Sequence, residues 1–96
     1  MRDEPVPQII VTRQSEARYR VKVKEDIGWT AHAVTVTSED MARYAPSGTT
    51  PERLREVSFE FLLEHEPKEA ILTHFHLPLI EEYYPEYSSK VREKLE

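Results

Sequence analysis

The stretch RYRVKVKE, residues 18–25, constrains the fold of this chain more than any other segment. Apolar and cationic side chains alternate along it, and successive side chains of a β-strand point to opposite faces of a sheet. The apolar members are Tyr19, Val21 and Val23, and the cationic members, here called the basic row, are Arg18, Arg20, Lys22 and Lys24. Burying four cations without matched anions is very unfavourable, so the basic row must be exposed or covered by an acidic partner.

A second alternating stretch, AHAVTVTS, follows closely and predicts an antiparallel hairpin of residues 17–25 with residues 31–38. A register that places Val21 opposite Val34 sorts apolar side chains onto one face and cationic and small side chains onto the other. A slip by one residue would mix the two faces, so the pattern excludes it. Gly28 is expected to serve as the turn residue.

The second half of the chain reads as helices separated by prolines. The segment TPERLREVSFEFLLEHE, residues 50–66, predicts the longest one, because Thr50 can cap a helix and Pro51 suits its first position. Shorter helices are expected over residues 38–45, 67–75 and 78–84. Residues 86–96 are expected to form a final helix or, over 88–96, a frayed tail.

These elements together predict an α+β fold in one domain, residues 1–96. A small antiparallel sheet of two or three strands, the third being QIIVTR at residues 8–13, precedes three to five short helices that pack on one face of it. Residues 1–7 are expected to be a flexible lead-in. The expected core comprises Ile10, Tyr19, Val21, Val23, Val34, Val36, Leu54, Val57, Phe61, Leu62, Ile71, Phe75, Leu77 and Ile80.

Composition restricts the classes of function. The chain has no cysteine, which excludes disulfides, thiolate metal sites and cysteine nucleophiles. It has no apolar run of the length that a signal peptide or a membrane span needs, so a cytoplasmic protein without a membrane partner is expected. The net charge is -5, and the excess of carboxylates lies in the second half. A net acidic chain is poorly suited to non-specific binding of nucleic acid.

Residues 69–84, EAILTHFHLPLIEEYY, loosely resemble a helix-turn-helix. The segment has apolar residues at suitable positions, but His74 stands where the tight turn usually has glycine. The would-be recognition helix carries Glu81 and Glu82 and no Lys or Arg, and two carboxylates would repel phosphates. A purely structural helix pair is therefore favoured over a reader of DNA.

No pattern in the chain indicates an enzyme. His74 and His76 are weak candidates for metal ligands, because no clear carboxylate or third histidine accompanies them. The serines lie in no nucleophile motif, and PSGTT at residues 46–50 is neither a nucleophile elbow nor a phosphate-binding loop. Neither catalysis nor a cofactor is expected.

The expected function is therefore a non-enzymatic interaction or regulatory module. Its candidate partner-binding residues are Arg18, Arg20, Lys22, Lys24 and Trp29. Trp29, placed in the hairpin turn, is expected to pack over the sheet edge or, less favoured, to stand exposed as a contact residue. The expected partner is a second copy of the chain or an acidic protein. The alternative is a small nucleic-acid-binding regulator that uses the basic row or residues 69–84.

A second charged surface is expected on the longest helix. Its glutamates recur every four residues and form what we call the acidic ridge: Glu52, Glu56, Glu60 and Glu64. Because this helix should lay its apolar stripe on the face of the sheet opposite the basic row, the ridge and the row cannot easily pair within one molecule. A solvated helix face is one interpretation of the ridge, and a surface for a basic partner is the other.

Residues 50–87 resemble a group of small, uncharacterised bacterial proteins. The resemblance rests on a Thr-Pro helix start, a Phe-Leu-Leu-Glu run and a Pro-Glu-Tyr ending, which occur here in that order. It implies a bacterial or archaeal source and brings no activity, cofactor or catalytic residue with it.

Overall fold

Four strands form one mixed sheet in the order β1-β2-β3-β4 in the computed structural model, which describes residues 7–96. The strands are β1 (Gln8–Arg13), β2 (Arg18–Glu25), β3 (Gly28–Thr35) and β4 (His74–His76). The first three are antiparallel neighbours, whereas β4 runs parallel to β3. The lead-in expected at the start of the chain lies outside the described residues, apart from Pro7.

Four α-helices follow the first three strands and confirm the α+β class. They are α1 (Ser38–Tyr44), α2 (Pro51–His65), α3 (Leu79–Tyr83) and α4 (Tyr87–Leu95), and a short 3-10 helix covers Lys68–Ala70. Thr50 caps α2 as expected, and the segment after Pro85 is a helix rather than a frayed tail. Within the described range, none of these helices has both the length and the apolar character needed to cross a membrane.

The sheet differs from the expected one in strand number and in the register of its hairpin. It has four strands and is mixed, not two or three antiparallel strands. In β2 and β3, Val21 lies opposite His32 instead of Val34, a shift of two residues. A two-residue shift keeps every side chain on its face, so the hydrophobic pattern cannot detect it. The predicted register was therefore wrong although the predicted faces were right.

The turn explains the shift. It consists of Asp26 and Ile27, and Glu25 pairs directly with Gly28. In the described part of the chain only glycines have positive φ, and Gly28 is one of them, with φ of 92°. Gly28 thus provides the left-handed residue that directly follows a tight turn, as in a bulged hairpin. It does not lie at the centre of the turn.

Strand β4 and a short 3-10 helix replace the helix expected over residues 67–75, so the helix pair favoured for residues 69–84 does not form. The ladder of β4 with β3 includes the Ala33 N–H donating to the Thr73 carbonyl at 2.7 Å and the Leu77 N–H donating to the Thr35 carbonyl at 3.0 Å. A helix here would leave those groups of β3 without partners at the sheet edge. The favoured prediction of a structural helix pair over residues 69–84 was therefore wrong, and the same strand removes the helix pair that the less favoured DNA reader needs.

The core lies between the sheet and the helices. Buried side chains from one face of β2 and β3 and from all four helices form a single cluster. All the expected core residues are buried except Ile10, which is 37% exposed and lies on the opposite face. In β1 apolar residues are consecutive, so alternation alone does not determine which of them points inward. Its neighbours Ile9 and Val11 pack against the core instead.

Arg55 fastens α2 to the sheet and is the least expected core residue. It is only 1% exposed. Its guanidinium donates to the carbonyl of Ala17 at 2.8 Å, of Pro51 at 3.0 Å and, more weakly, of Val34 at 3.4 Å. Burial lowers the pKa of Arg55 to about 10, which is still far enough above 7 for the group to be charged at neutral pH. The ring of Tyr19, whose centroid is 3.8 Å from the guanidinium carbon, covers it.

We expect Arg55→Lys to lower the free energy of unfolding by about 2 kcal/mol, because one ammonium cannot replace a planar fork that reaches three carbonyls. Arg53→Lys is the matched control, since Arg53 lies two residues away and its side chain is 48% exposed. Its effect should stay below about 0.5 kcal/mol. Urea unfolding at neutral pH measures both. Equally small effects would show that the fork geometry of Arg55 does not stabilise the fold.

Candidate functional site

The face of the sheet opposite the helices is accessible, and we call it the open face. It is formed by Gln8, Ile10 and Thr12 of β1, the basic row of β2, Trp29, Ala31, Ala33 and Thr35 of β3, and His74 and His76 of β4. No carboxylate occupies these outward positions of the four described strands. The open face is therefore cationic in a protein whose net charge is -5.

None of the ion pairs found within residues 7–96 involves the basic row. They use other cations, such as Arg43 with Glu81 and Lys68 with Glu25. Alternate residues of a strand are about 6.7 Å apart, so the row presents a line of evenly spaced charges. The sequence-based expectation of a cationic surface without internal neutralisation is thus met in the described part of the chain.

The register of the strands places a shallow trough beside the basic row. Arg20 of β2 is paired with Ala33 of β3, which is paired in turn with His74 of β4. The next row across the sheet consists, in the same order, of Arg18, Thr35 and His76. Two strand spacings, about 10 Å, therefore separate the cations from the histidines, with small side chains between them. A depression of about 280 Å³ at this place is lined in part by Arg18, Arg20, Ala33 and His74.

Trp29 lies on the open face at the end of the trough. It belongs to β3, opposite Lys24, and not to the turn as expected. It is 55% exposed, so the favoured expectation that it packs over the sheet edge was wrong. The Lys22 ammonium lies 4.3 Å from the centroid of its ring, a distance typical of a cation–π contact. This contact helps to orient an exposed aromatic ring beside the basic row.

The two candidate metal ligands, His74 and His76, lie on the same face of β4. They alternate with the buried Phe75, as a strand requires. His74 Nδ1 is 3.2 Å from the Thr73 hydroxyl. In residues 7–96 no three histidine or carboxylate side chains are grouped so that they could hold a metal ion. The pair instead forms the second wall of the trough.

The acidic ridge lies on α2, in the layer on the other side of the sheet. Two of its members have partners there: Glu56 accepts from Arg53 at 2.8 Å, and Glu64 accepts from Lys94 at 3.3 Å. The ridge and the basic row therefore lie on opposite faces of the sheet, although Glu56, Glu60 and Glu64 reach a depression beside Gln8 and Ile9 at the β1 edge. Within the described residues, one face of the sheet is cationic and the layer behind it carries a row of carboxylates.

His32 is buried beneath the trough and is fully hydrogen-bonded as a neutral ring. Its Nδ1 lies 2.8 Å from the Leu72 carbonyl, which can only accept, so Nδ1 carries the proton. Its Nε2 accepts from the Thr30 hydroxyl at 2.9 Å. Burial lowers the pKa of His32, an effect that the bond to Leu72 partly opposes. His32 thus connects β3 to the segment that leads into β4.

An open apolar groove of about 370 Å³ lies on the helical side of the molecule. Leu72, Phe75, Leu79 and Tyr83 are among the residues that line it. Its one carboxylate, Glu66, accepts a hydrogen bond from the Tyr84 hydroxyl at 2.7 Å, which raises the pKa of Tyr84. This bond connects the residue that ends α2 to the residue that ends α3.

The sequence correctly indicated the basic row and the exposure of one sheet face, but it missed the other components of the site. Ala31 and Ala33 form the floor of the trough because of the two-residue shift in register. The histidines reach the open face only because residues 74–76 form a strand. The signal for that strand was present, since Phe75 and Leu77 alternate with His74 and His76.

Comparison of the chain with protein-family models, with curated proteins and with solved structures gave no significant match. The resemblance of residues 50–87 to small bacterial proteins therefore stays a prediction. Any inference about function has to be made from the geometry of the open face.

The buried His32 predicts a specific pH dependence of stability. Because its pKa is lowered in the folded state, the unfolded chain takes up a proton more readily as the pH falls below about 6.5. The stabilising contribution is complete above that pH and is lost below it. We expect the free energy of unfolding to fall between pH 7.5 and about 5.5, and to fall less in His32→Asn, which has no ring to protonate.

Urea unfolding at both pH values measures this difference. His76→Asn serves as the control for replacing a histidine at an exposed position. The same loss of stability in the wild type and in His32→Asn would contradict the assignment.

Proposed function

We propose that this protein is a non-enzymatic binding module whose open face holds an anionic partner. The observation that carries the proposal is the basic row: four cations of one strand lie on an accessible sheet face that has no carboxylate in its described positions. Complementary potentials steer partners together and exclude partners of like charge. The acidic ridge on the far side gives the binding a preferred orientation.

Stability does not account for the row. Neighbouring unit charges that keep the spacing of a strand, about 6.7 Å, repel each other by about 0.6 kcal/mol in water before screening by salt. Neutral polar residues such as threonine would suit an exposed strand equally well without this repulsion. A slightly unfavourable arrangement on an accessible face is typical of a surface that serves binding.

The surroundings of the histidines support a binding role over catalysis. General acid–base chemistry needs a titratable group positioned beside a second polar group and a reacting atom. On the open face, His74 and His76 lie across from Ala33 and Thr35, and carboxylates are absent from the described positions around them. Such a surface offers charge and hydrogen bonds but no activated nucleophile.

A second copy of the chain is another anionic partner that the structure favours. The acidic ridge of one molecule is complementary to the basic row of another, and the two lie on opposite sides, so contacts of this kind would be head-to-tail. Light scattering at about 50 mM and 500 mM salt tests it. A mass that rises with protein concentration at low salt alone would support this partner, and a monomer under both conditions would exclude it.

Retention on immobilised heparin, a generic polyanion, tests the proposal directly. We expect Lys22→Gln with Lys24→Gln to elute at clearly lower salt than the wild type, because they remove half of the basic row. Lys90→Gln with Lys94→Gln is the matched control, because it removes the same number of positive charges from α4. This variant should elute at nearly the same salt concentration as the wild type. No retention of the wild type at about 50 mM salt, or equal shifts for both pairs, would refute the proposal.

A further inference from the structure

The composition of the open face distinguishes between kinds of anionic partner. Protein interfaces have few charged residues at their centre and rely on apolar or aromatic side chains that fill pockets. Here the centre is occupied by cations, and among the described residues of the face only Ile10 and Trp29 are large and apolar. Interfaces with nucleic acid are much more positively charged than interfaces between proteins. We infer that the anionic partner is a single-stranded nucleic acid, an inference that rests on the proposed function and names the partner of the same face.

The trough provides a path for such a strand. Proteins that bind single strands combine a cationic groove that follows the phosphates with aromatic rings on which bases stack. The cations of the basic row are regularly spaced along β2. Beside them, the small side chains of Ala31 and Ala33 leave a space between β2 and β4 that is about two strand spacings wide. Phosphates placed along the basic row would direct the bases across this floor toward His74 and His76.

Trp29 provides the stacking surface. It is 55% exposed at one end of the trough, and Lys22 holds its ring next to the basic row. A base stacked on this indole would bring its own phosphate close to Lys22 and Lys24. Histidine is one of the residue types whose rings stack on unpaired bases. The rings of His74 and His76, across the trough from the basic row, therefore offer further stacking surfaces.

A single strand fits this face better than a duplex does. Duplex DNA is read by a helix or a two-stranded ribbon that enters the major groove. The open face is a four-stranded surface, and the helices lie on its other side. With residues 69–84 containing strand β4 instead of a helix pair, the described chain presents no recognition helix for a groove. Unpaired bases can lie flat on such a surface.

The intrinsic fluorescence of the protein reports on the site, because Trp29 is its single tryptophan. We expect oligothymidylate of about 12 nucleotides, a length within the range of single-strand sites in small domains, to quench this fluorescence. The affinity should fall steeply with salt. A duplex of the same length should bind more weakly, and poly-L-glutamate should bind more weakly without comparable quenching.

Two substitutions separate stacking from charge. Trp29→Ala should weaken binding of a labelled oligothymidylate by about 5- to 150-fold, the loss expected for one stacked base. Its retention on heparin should be unchanged. Ile10→Ala is the control, since Ile10 is an exposed apolar residue on the same face without a ring. Arg20→Gln should reduce the slope of log affinity against log salt by about 0.7, the value for one phosphate contact of a single strand.

The outcomes distinguish this inference from the proposed function. Tighter binding of poly-L-glutamate than of oligothymidylate, or an unchanged affinity in Trp29→Ala, would overturn the nucleic-acid partner and leave the anion-binding face intact. A duplex that binds as tightly as the single strand would overturn the preference for unpaired bases. If neither polyanion binds and heparin does not retain the protein, both proposals fail.

Discussion

The buried guanidinium of Arg55 fixes the longest helix against the apolar face of the sheet. Its donors reach the carbonyl of Ala17 before β2 and of Val34 in β3, so α2 is attached to the sheet by directional bonds as well as by apolar contact. A charged group without a carboxylate partner is stable in a core only if several dipoles surround it. Here three carbonyls and the ring of Tyr19 meet that requirement. Once this face is covered, the basic row has to lie on the other.

The two faces of β2 then follow different physical rules. Tyr19, Val21 and Val23 are buried and stabilise the fold through apolar contact. The basic row contributes no such contact and repels itself, so it is the part of the strand that folding does not require. Because the strand is central in the sheet, the row is held on a rigid surface instead of a mobile loop. Rigid placement reduces the conformational entropy that the protein itself loses when a partner binds.

The alternation in RYRVKVKE, together with the helical segments between the prolines, was sufficient to predict an α+β fold with one covered and one exposed sheet face. It was not sufficient to predict the trough, because a two-residue shift leaves the alternation intact and only the turn at Asp26–Ile27 determines the register. Strand β4 escaped prediction because three residues carry little periodicity and the strand pairs with β3 across a long connection. Arg55 escaped because an arginine among exposed charges has no sequence signal for burial.

The net charge of -5 does not decide whether this protein binds an anion. Charges act over a Debye length of about 8 Å at physiological salt, whereas the molecule measures 25 Å even along its shortest axis. An anionic partner held on the open face, as proposed, would therefore sense the basic row more strongly than the acidic ridge, which lies in the layer on the other face and reaches only the β1 edge of the sheet. On that proposal the local potential of one face governs recognition, and the excess of carboxylates elsewhere serves solubility.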